Sequence, residues 1–271
     1  MAANSVRQPA IFLPHGGGPC FFMDWSWGPA DMWRRTQHFL EGLAATLPAS
    51  PKAIVVVSGH WEEPAFTASA AAQPPLIFDY SGFPEHTYRL TWPAPGAPDL
   101  AERAAELLSQ AGLHGAVSPS RGFDHGVFVP LKVAFPEAQI PVVSLSLNSS
   151  LDPALHLAAG RALAPLRDEG VLIIGSGMSF HNLRSYFHPE TVERARAFEA
   201  WLTKAVESPA VDRDALLTGW RKAPFAAFAH PREEHLIPLM VAAGAGGALP
   251  GRRIFSDEPM GAAISAYRFD G

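Results

Sequence analysis

The chain has 271 residues, 48% hydrophobic and 17% charged, with 21 basic against 26 acidic side chains and a formal net charge of −5. With no basic run, a nucleic-acid partner is not expected, because phosphate recognition needs clustered Lys and Arg. No window approaches the roughly 18 consecutive apolar residues of a membrane span, no leader-like run opens the chain, and the lone cysteine precludes an internal disulfide, so a soluble cytoplasmic protein is expected.

In chain order, a continuous apolar run over 10–13 (AIFL) predicts a strand buried on both faces. Cys20 follows, readable as a nucleophile but more simply as a small buried hydrophobe. Asp31 is positioned to cap a helix whose apolar residues Trp33, Leu40, Leu43 and Leu47 recur at helical spacing. Residues 53–57 (AIVVV) predict a second buried strand, and the proline-rich stretch 73–98 reads as a long loop or lid. Pro98–Gln110 has a helical pattern, and 142–147 predicts a third buried strand. Asp152-Pro153 is the clearest helix start, a capping side chain followed by proline at the first helical position. Its stripe Leu155, Ala159, Leu163 and Leu166 leads to Gly170, then to a fourth strand at 171–174. Helices are expected over Pro189–Val206 and from about Glu234, with Pro238 tolerated in the first turn. Strands alternating with helices predict a single α/β domain over 1–271, with a central mostly parallel sheet flanked by helices on both faces.

Three of the four strands lead into a histidine. The first runs into Pro14-His15-Gly16-Gly17-Gly18 and the second into Ser58-Gly59-His60-Trp61, while the fourth passes through Gly175 to Ser179-Phe180-His181-Asn182. Ligands of open α/β sheets bind beyond the carboxyl ends of the strands, so parallel strands would bring these imidazoles together. Any one of them is more simply a hydrogen-bonded loop residue; three in one topological position favour a metal site, for which imidazole suits iron, zinc and copper. Two further segments join them. Gly122-Phe123-Asp124-His125-Gly126 reads as Asp124 capping a helix that opens with His125. Pro231-Arg232-Glu233-Glu234-His235 places carboxylates where they satisfy a helix dipole. The remaining histidines, His38, His86, His114, His156, His188 and His230, read as surface or loop residues, with His230 a rival because it lies near His235.

Taken together, these five histidine segments, in order from residue 15 to 239 and with Gly82-Phe83-Pro84 and Pro93-Ala94-Pro95-Gly96 between them, resemble the class III extradiol ring-cleavage dioxygenases, specifically the DOPA 4,5-dioxygenase-like branch. The resemblance implies that His15, His60 and His235 hold a metal. It implies that His181 is the acid/base residue and closes the metal sphere when substrate is absent, and that His125 hydrogen-bonds oxygen or a substrate hydroxyl. Glu234 is the carboxylate alternative to His235. The implied reaction opens a catechol, DOPA-like or otherwise substituted, with O2 to a muconic semialdehyde. Iron(II) is the cofactor expected for activity, and zinc(II) is able to occupy the site as purified. The competing readings are a zinc-dependent hydrolase and a non-catalytic metal-binding protein on the same scaffold. Trp25, Trp27, Trp61 and Tyr88 are candidates to wall a flat ring, and Arg89, Arg184 and Arg232 to hold a charged ring substituent. Oligomeric state is not readable from the sequence.

Overall fold

The structure, a computed structural model, describes residues 5–271. The strands are β1 (Ala10–Pro14), β2 (Ala53–Glu63), β3 (Phe66–Ser69), β4 (Gly115–Ser118), β5 (Val142–Asn148), β6 (Val171–Gly177), β7 (Arg252–Asp257) and β8 (Ile264–Phe269). They form one sheet in the order β4-β3-β5-β2-β6-β1-β8-β7. The four runs read from sequence are its centre, β5-β2-β6-β1, and every pairing among them is parallel. All residues of β1 and β6 are buried, which requires cover on both faces and accounts for their unbroken apolar sequences. The outer strands were not anticipated. β3 and β4 are four residues each, and β7 (RRIFSD) is too polar to stand out; β7 and β8 pair antiparallel and β8 closes on β1.

The helices are α1 (Arg34–Gly42), α2 (Pro98–Gln110), α3 (His125–Ala134), α4 (Pro153–Leu163), α5 (Pro165–Asp168), α6 (Pro189–Val206), α7 (Ala210–Thr218), α8 (Ala226–Ala229) and α9 (Ile237–Ala245). α9 packs on β6 and β1 with α4 behind it, while α3 packs on β2 and β6 from the opposite face with α1 behind it. The molecule is therefore a single α/β domain with a mostly parallel sheet between helical layers. Among the described residues, no helix is long and apolar enough to cross a membrane.

Local signals held where the chain satisfies them locally. Asp152 caps α4 with Oδ1, accepting from the N–H groups of Ala154 (2.7 Å) and Leu155 (3.0 Å). That helix stops before Leu166 because Pro165 has no N–H to continue the ladder, and α5 is a separate short turn. α1 starts later than its pattern, at Arg34, and Asp31 contributes only its carbonyl to the Arg34 N–H. The 73–98 stretch is a loop tied to the rest of the domain near both ends. Leu76 bridges to Phe123, Gly96 bridges to Val142, and a 3₁₀ turn spans Glu85–Arg89.

Two of the histidines assigned to surface or loop are buried instead. His156 bonds the Asp152 carbonyl through Nδ1 and accepts from the Asn148 N–H at Nε2, while His230 bonds the Ser179 carbonyl. His156 packs edge-on against Phe66, and His230 against Phe198 and Trp220, placements no sequence period reveals. Cys20 is buried, and burial pushes its thiol pKa well up, so it packs as a thiol and is not poised as a nucleophile.

Candidate metal centre

β1 ends at Pro14, and the His15 N–H then donates to the Gly177 carbonyl (3.1 Å), fixing His15 against the end of β6. β2 carries a register shift between Val57 and Glu62, so Ser58-Gly59-His60-Trp61 bulges out of the ladder and His60 is turned toward the strand ends. His235 precedes α9, whose opening segment lies directly on the sheet. A Cβ on Gly177 would sit 2.1 Å from the His235 carbonyl oxygen, and one on Gly59 would sit 3.0 Å from that of Glu234. Glycine at both positions is what admits this approach. The Met178 N–H locks it by donating to the His235 carbonyl (2.9 Å).

The result is three imidazoles with Nε2 atoms converging. His60 Nε2 lies 3.2 Å from His15 Nε2 and 3.2 Å from His235 Nε2. Nitrogens about 2.1 Å from one ion, at adjacent tetrahedral or octahedral positions, stand about 3.0–3.4 Å apart, so both of these spacings suit a shared metal, and the three ligand atoms lie within 4.8 Å of one another. The opposite ring atoms support it. His15 Nδ1 lies 2.9 Å from the Gly16 carbonyl and His235 Nδ1 lies 2.8 Å from Glu234 Oε1. A carbonyl or carboxylate only accepts, so the proton belongs on Nδ1 and the lone pair on Nε2. Burial, and then the neighbouring imidazoles, hold His15 and His235 well below the usual imidazole pKa; for His60 burial is again the largest cause, partly opposed by Asp79. All three are neutral donors at pH 7.

The other two histidines flank this set. His181 stacks on His235 with ring centres 3.5 Å apart, and its Nδ1 is 3.4 Å from the same Glu234 oxygen. His125 opens α3 beside His60, with ring centres 3.8 Å apart. Asp79, from the proline-rich loop, accepts from both the main-chain N–H (2.9 Å) and Nδ1 (2.8 Å) of His125 and approaches His60 Nδ1 at 3.6 Å. Each of two carboxylates thus serves two imidazoles, Asp79 for His125 and His60, Glu234 for His235 and His181. Two further clusters of potential ligands exist, His60-Asp79-His125 and His181-Glu234-His235, but their close contacts are these Nδ1–carboxylate hydrogen bonds. Burial opposes ionisation of Asp79, yet its bonds from His125 outweigh that and bring its pKa down to about 2. In Glu234 burial is likewise outweighed, by His181 and Arg232, and its pKa is lowered.

Asp79 escaped the sequence reading because it stands in a loop with no period and meets its partners only in three dimensions. Asp124 illustrates the converse. It occupies the cap position of α3, but its buried carboxylate accepts from Ser58 Oγ (2.7 Å) and Arg121 (3.0 Å), and Asp79 caps the helix in its place. His230 is absent from the clusters of potential ligands.

The five histidines line one cavity of about 490 Å³. Trp25 and Trp27 wall it as anticipated, joined by Trp33, Tyr80 and Phe83. Trp61 does not, because its ring lies under the Arg121 guanidinium, nor does Tyr88, whose hydroxyl accepts from the Phe83 N–H.

A strand-end cluster of neutral imidazoles thus faces an aromatic cavity, and comparison with known proteins gives the chain's family. Residues 9–269 match the family model of the catalytic LigB subunit of aromatic ring-opening dioxygenases, and the chain belongs to that family. It is an extradiol ring-cleavage dioxygenase of the DOPA 4,5-dioxygenase-like branch, an oxidoreductase acting with O2. It is 42% identical to a 4,5-DOPA dioxygenase extradiol of Beta vulgaris over 91% of this chain and 90% of that one. It is 39% identical to the dioxygenase tasH of Hapsidospora irregularis over 97% and 86%, respectively. The crystal structure of an uncharacterized protein of Escherichia coli K12 superposes with a TM-score of 0.71 at 31% identity, covering 97% of this chain and 100% of that one. Enzymes of this family use a metal, and the histidine cluster is a site able to bind one.

Proposed function

We propose that the enzyme is a non-haem iron(II) dioxygenase that opens a catechol ring with O2 to a muconic semialdehyde, with both oxygen atoms entering the product. The observation that carries this reading is the trio of Nε2 atoms on the floor of an aromatic cavity, that of His60 standing 3.2 Å from each of the other two. His15, His60 and His235 hold the iron in this reading. When bound, iron(II) would supply Lewis acidity toward the catechol oxygens and the redox chemistry that O2 needs.

The chain's other residues supply proton handling and placement. His181, with Nδ1 toward Glu234, keeps Nε2 free to take the second catechol proton and later return it, a task suited to imidazole near neutral pH. His125, its Nδ1–H committed to Asp79, presents Nε2 to oxygen or a substrate hydroxyl. The indole and phenyl walls offer flat apolar faces to an aromatic ring. Anaerobic reconstitution of the metal-free protein with iron(II) or zinc(II), followed by oxygen-electrode assays over several catechols, tests the proposal. Oxygen uptake by the iron form alone supports it, whereas equal uptake by the zinc form, or ester hydrolysis at comparable rates, contradicts it.

A further inference from the structure

The cavity over the histidines has a volume of about 490 Å³. A cavity of about 150 Å³ already admits benzene, so a catechol ring leaves most of this space for whatever the ring carries. Its chemistry is one-sided. Among the described residues, no Lys, Arg, Asp or Glu lines it. Arg89 and Arg232 are engaged elsewhere, with Glu85 and Glu62, and are not in the lining; Arg184 is exposed beside Leu183 and is not in it either. The mouth is apolar and wet at once: Trp27 is 58% exposed, Leu183 69% and Phe187 53%. These are three of the eight large hydrophobic side chains left exposed among the described residues, gathered at one opening. Such a gathering marks a binding surface.

A carboxylate or ammonium group held against the apolar walls between the histidines and the mouth would lose its water without gaining a counter-charge or a charged hydrogen bond, which is strongly unfavourable. An alkyl or aryl group would instead cover the exposed side chains. We infer that the substrate is a catechol bearing an uncharged, apolar substituent at least as large as a butyl chain. The relatives named as DOPA dioxygenases are, by contrast, named for a catechol whose side chain carries an amine and a carboxylate. The inference rests on the dioxygenase reading for the chemistry of the ring, but not for the chemistry of the tail.

Each buried CH2 multiplies affinity about fourfold, so a butyl chain should gain about two orders of magnitude. With the iron(II) enzyme, 4-butylcatechol and 4-phenylcatechol should show kcat/KM about 100-fold or more above 3,4-dihydroxybenzoate and L-DOPA. Leu183→Arg, which brings a guanidinium to the mouth, should narrow that ratio at least tenfold. A second readout uses binding alone. Anaerobic calorimetry on the zinc(II)-loaded protein should detect 4-butylphenol binding and find 4-hydroxybenzoate at least about 100-fold weaker. Equal or better kcat/KM for the carboxylated catechols overturns the inference, as does a selective loss of those substrates in Arg184→Ala. If no catechol is consumed by the iron form, the dioxygenase reading fails and the calorimetric comparison alone decides the inference: preference for 4-butylphenol sustains it, and preference for 4-hydroxybenzoate overturns it.

Discussion

Asp79 Oδ1 accepts from both the main-chain N–H and the Nδ1–H of His125, 46 residues further along the chain. One carboxylate therefore caps α3 and sets the tautomer of an imidazole that lines the cavity, while its other oxygen faces His60. Asp79→Ala should release the His125 ring and cost about 10–100-fold in kcat, the range for partners that orient functional histidines. Metal binding should weaken less than in Glu234→Ala, because Asp79 stands 3.6 Å from His60 Nδ1, beyond hydrogen-bond distance, whereas Glu234 hydrogen-bonds His235 at 2.8 Å. Steady-state oxygen uptake and metal analysis on the same preparation check this, and Asp79→Asn, which keeps one acceptor oxygen, should recover part of the loss. Unchanged kcat in both variants would remove Asp79 from the positioning role.

The ligand set makes a separate prediction. Replacing His15, His60 or His235 singly by Ala should abolish stoichiometric metal binding while circular dichroism shows the fold intact. Glu234→Ala, which removes the acceptor that His235 shares with His181, should weaken metal binding by about 10–100-fold without abolishing it. Full occupancy in His235→Ala, with loss in Glu234→Ala, would reassign the third ligand to the carboxylate.

His181 separates binding from chemistry. Its stacking on His235 and its tether to Glu234 set it apart from the Nε2 trio. His181→Ala should keep iron and bind catechol, yet lose turnover by about 10²–10⁴-fold, as for a positioned general acid or base. Loss of the metal from this variant would instead make His181 a fourth ligand and shift the base to His125.

How far sequence pattern reached depended on whether a residue answers to its neighbours or to distant partners. β1, β2, β5 and β6 were legible because burial on both faces leaves their central stretches apolar or small, with the buried Ser144 and Ser146 breaking the run in β5. β3 and β4 are too short to show a period, and β7 is an exposed edge with a polar sequence. The histidines stood out because glycines flank them at strand ends, where backbone must come close to backbone. The orientation of those rings was not legible. Asp79 acts across a loop, and Asp124 gives up the capping role its position suggests because Ser58 and Arg121 offer its buried carboxylate better-placed donors.

His156 supplies a pH prediction away from the metal. It is fully buried, and burial pushes its pKa down to about 4, against hydrogen bonding to the Asp152 carbonyl that raises it. The unfolded imidazole titrates near 6.5, so between about 4 and 6.5 the unfolded chain binds the extra proton. The stabilising contribution is therefore complete above about pH 6.5 and is lost as pH falls toward about 4, by about 3 kcal/mol in total. In urea unfolding with metal removed by chelator, His156→Gln should flatten the slope of stability against pH by about one proton across that window. An unchanged slope would contradict burial of a neutral imidazole.

The central claim is that this cluster of imidazoles serves ring opening by O2, and the product made under labelled dioxygen tests it most directly. Iron(II)-loaded enzyme, 4-butylcatechol and ¹⁸O2 should yield an open-chain semialdehyde carrying both labelled atoms, one of them in a carboxylate that does not exchange with water. Recovery of an unlabelled quinone, or of intact catechol with no oxygen consumed across the whole range of catechols, would contradict the account.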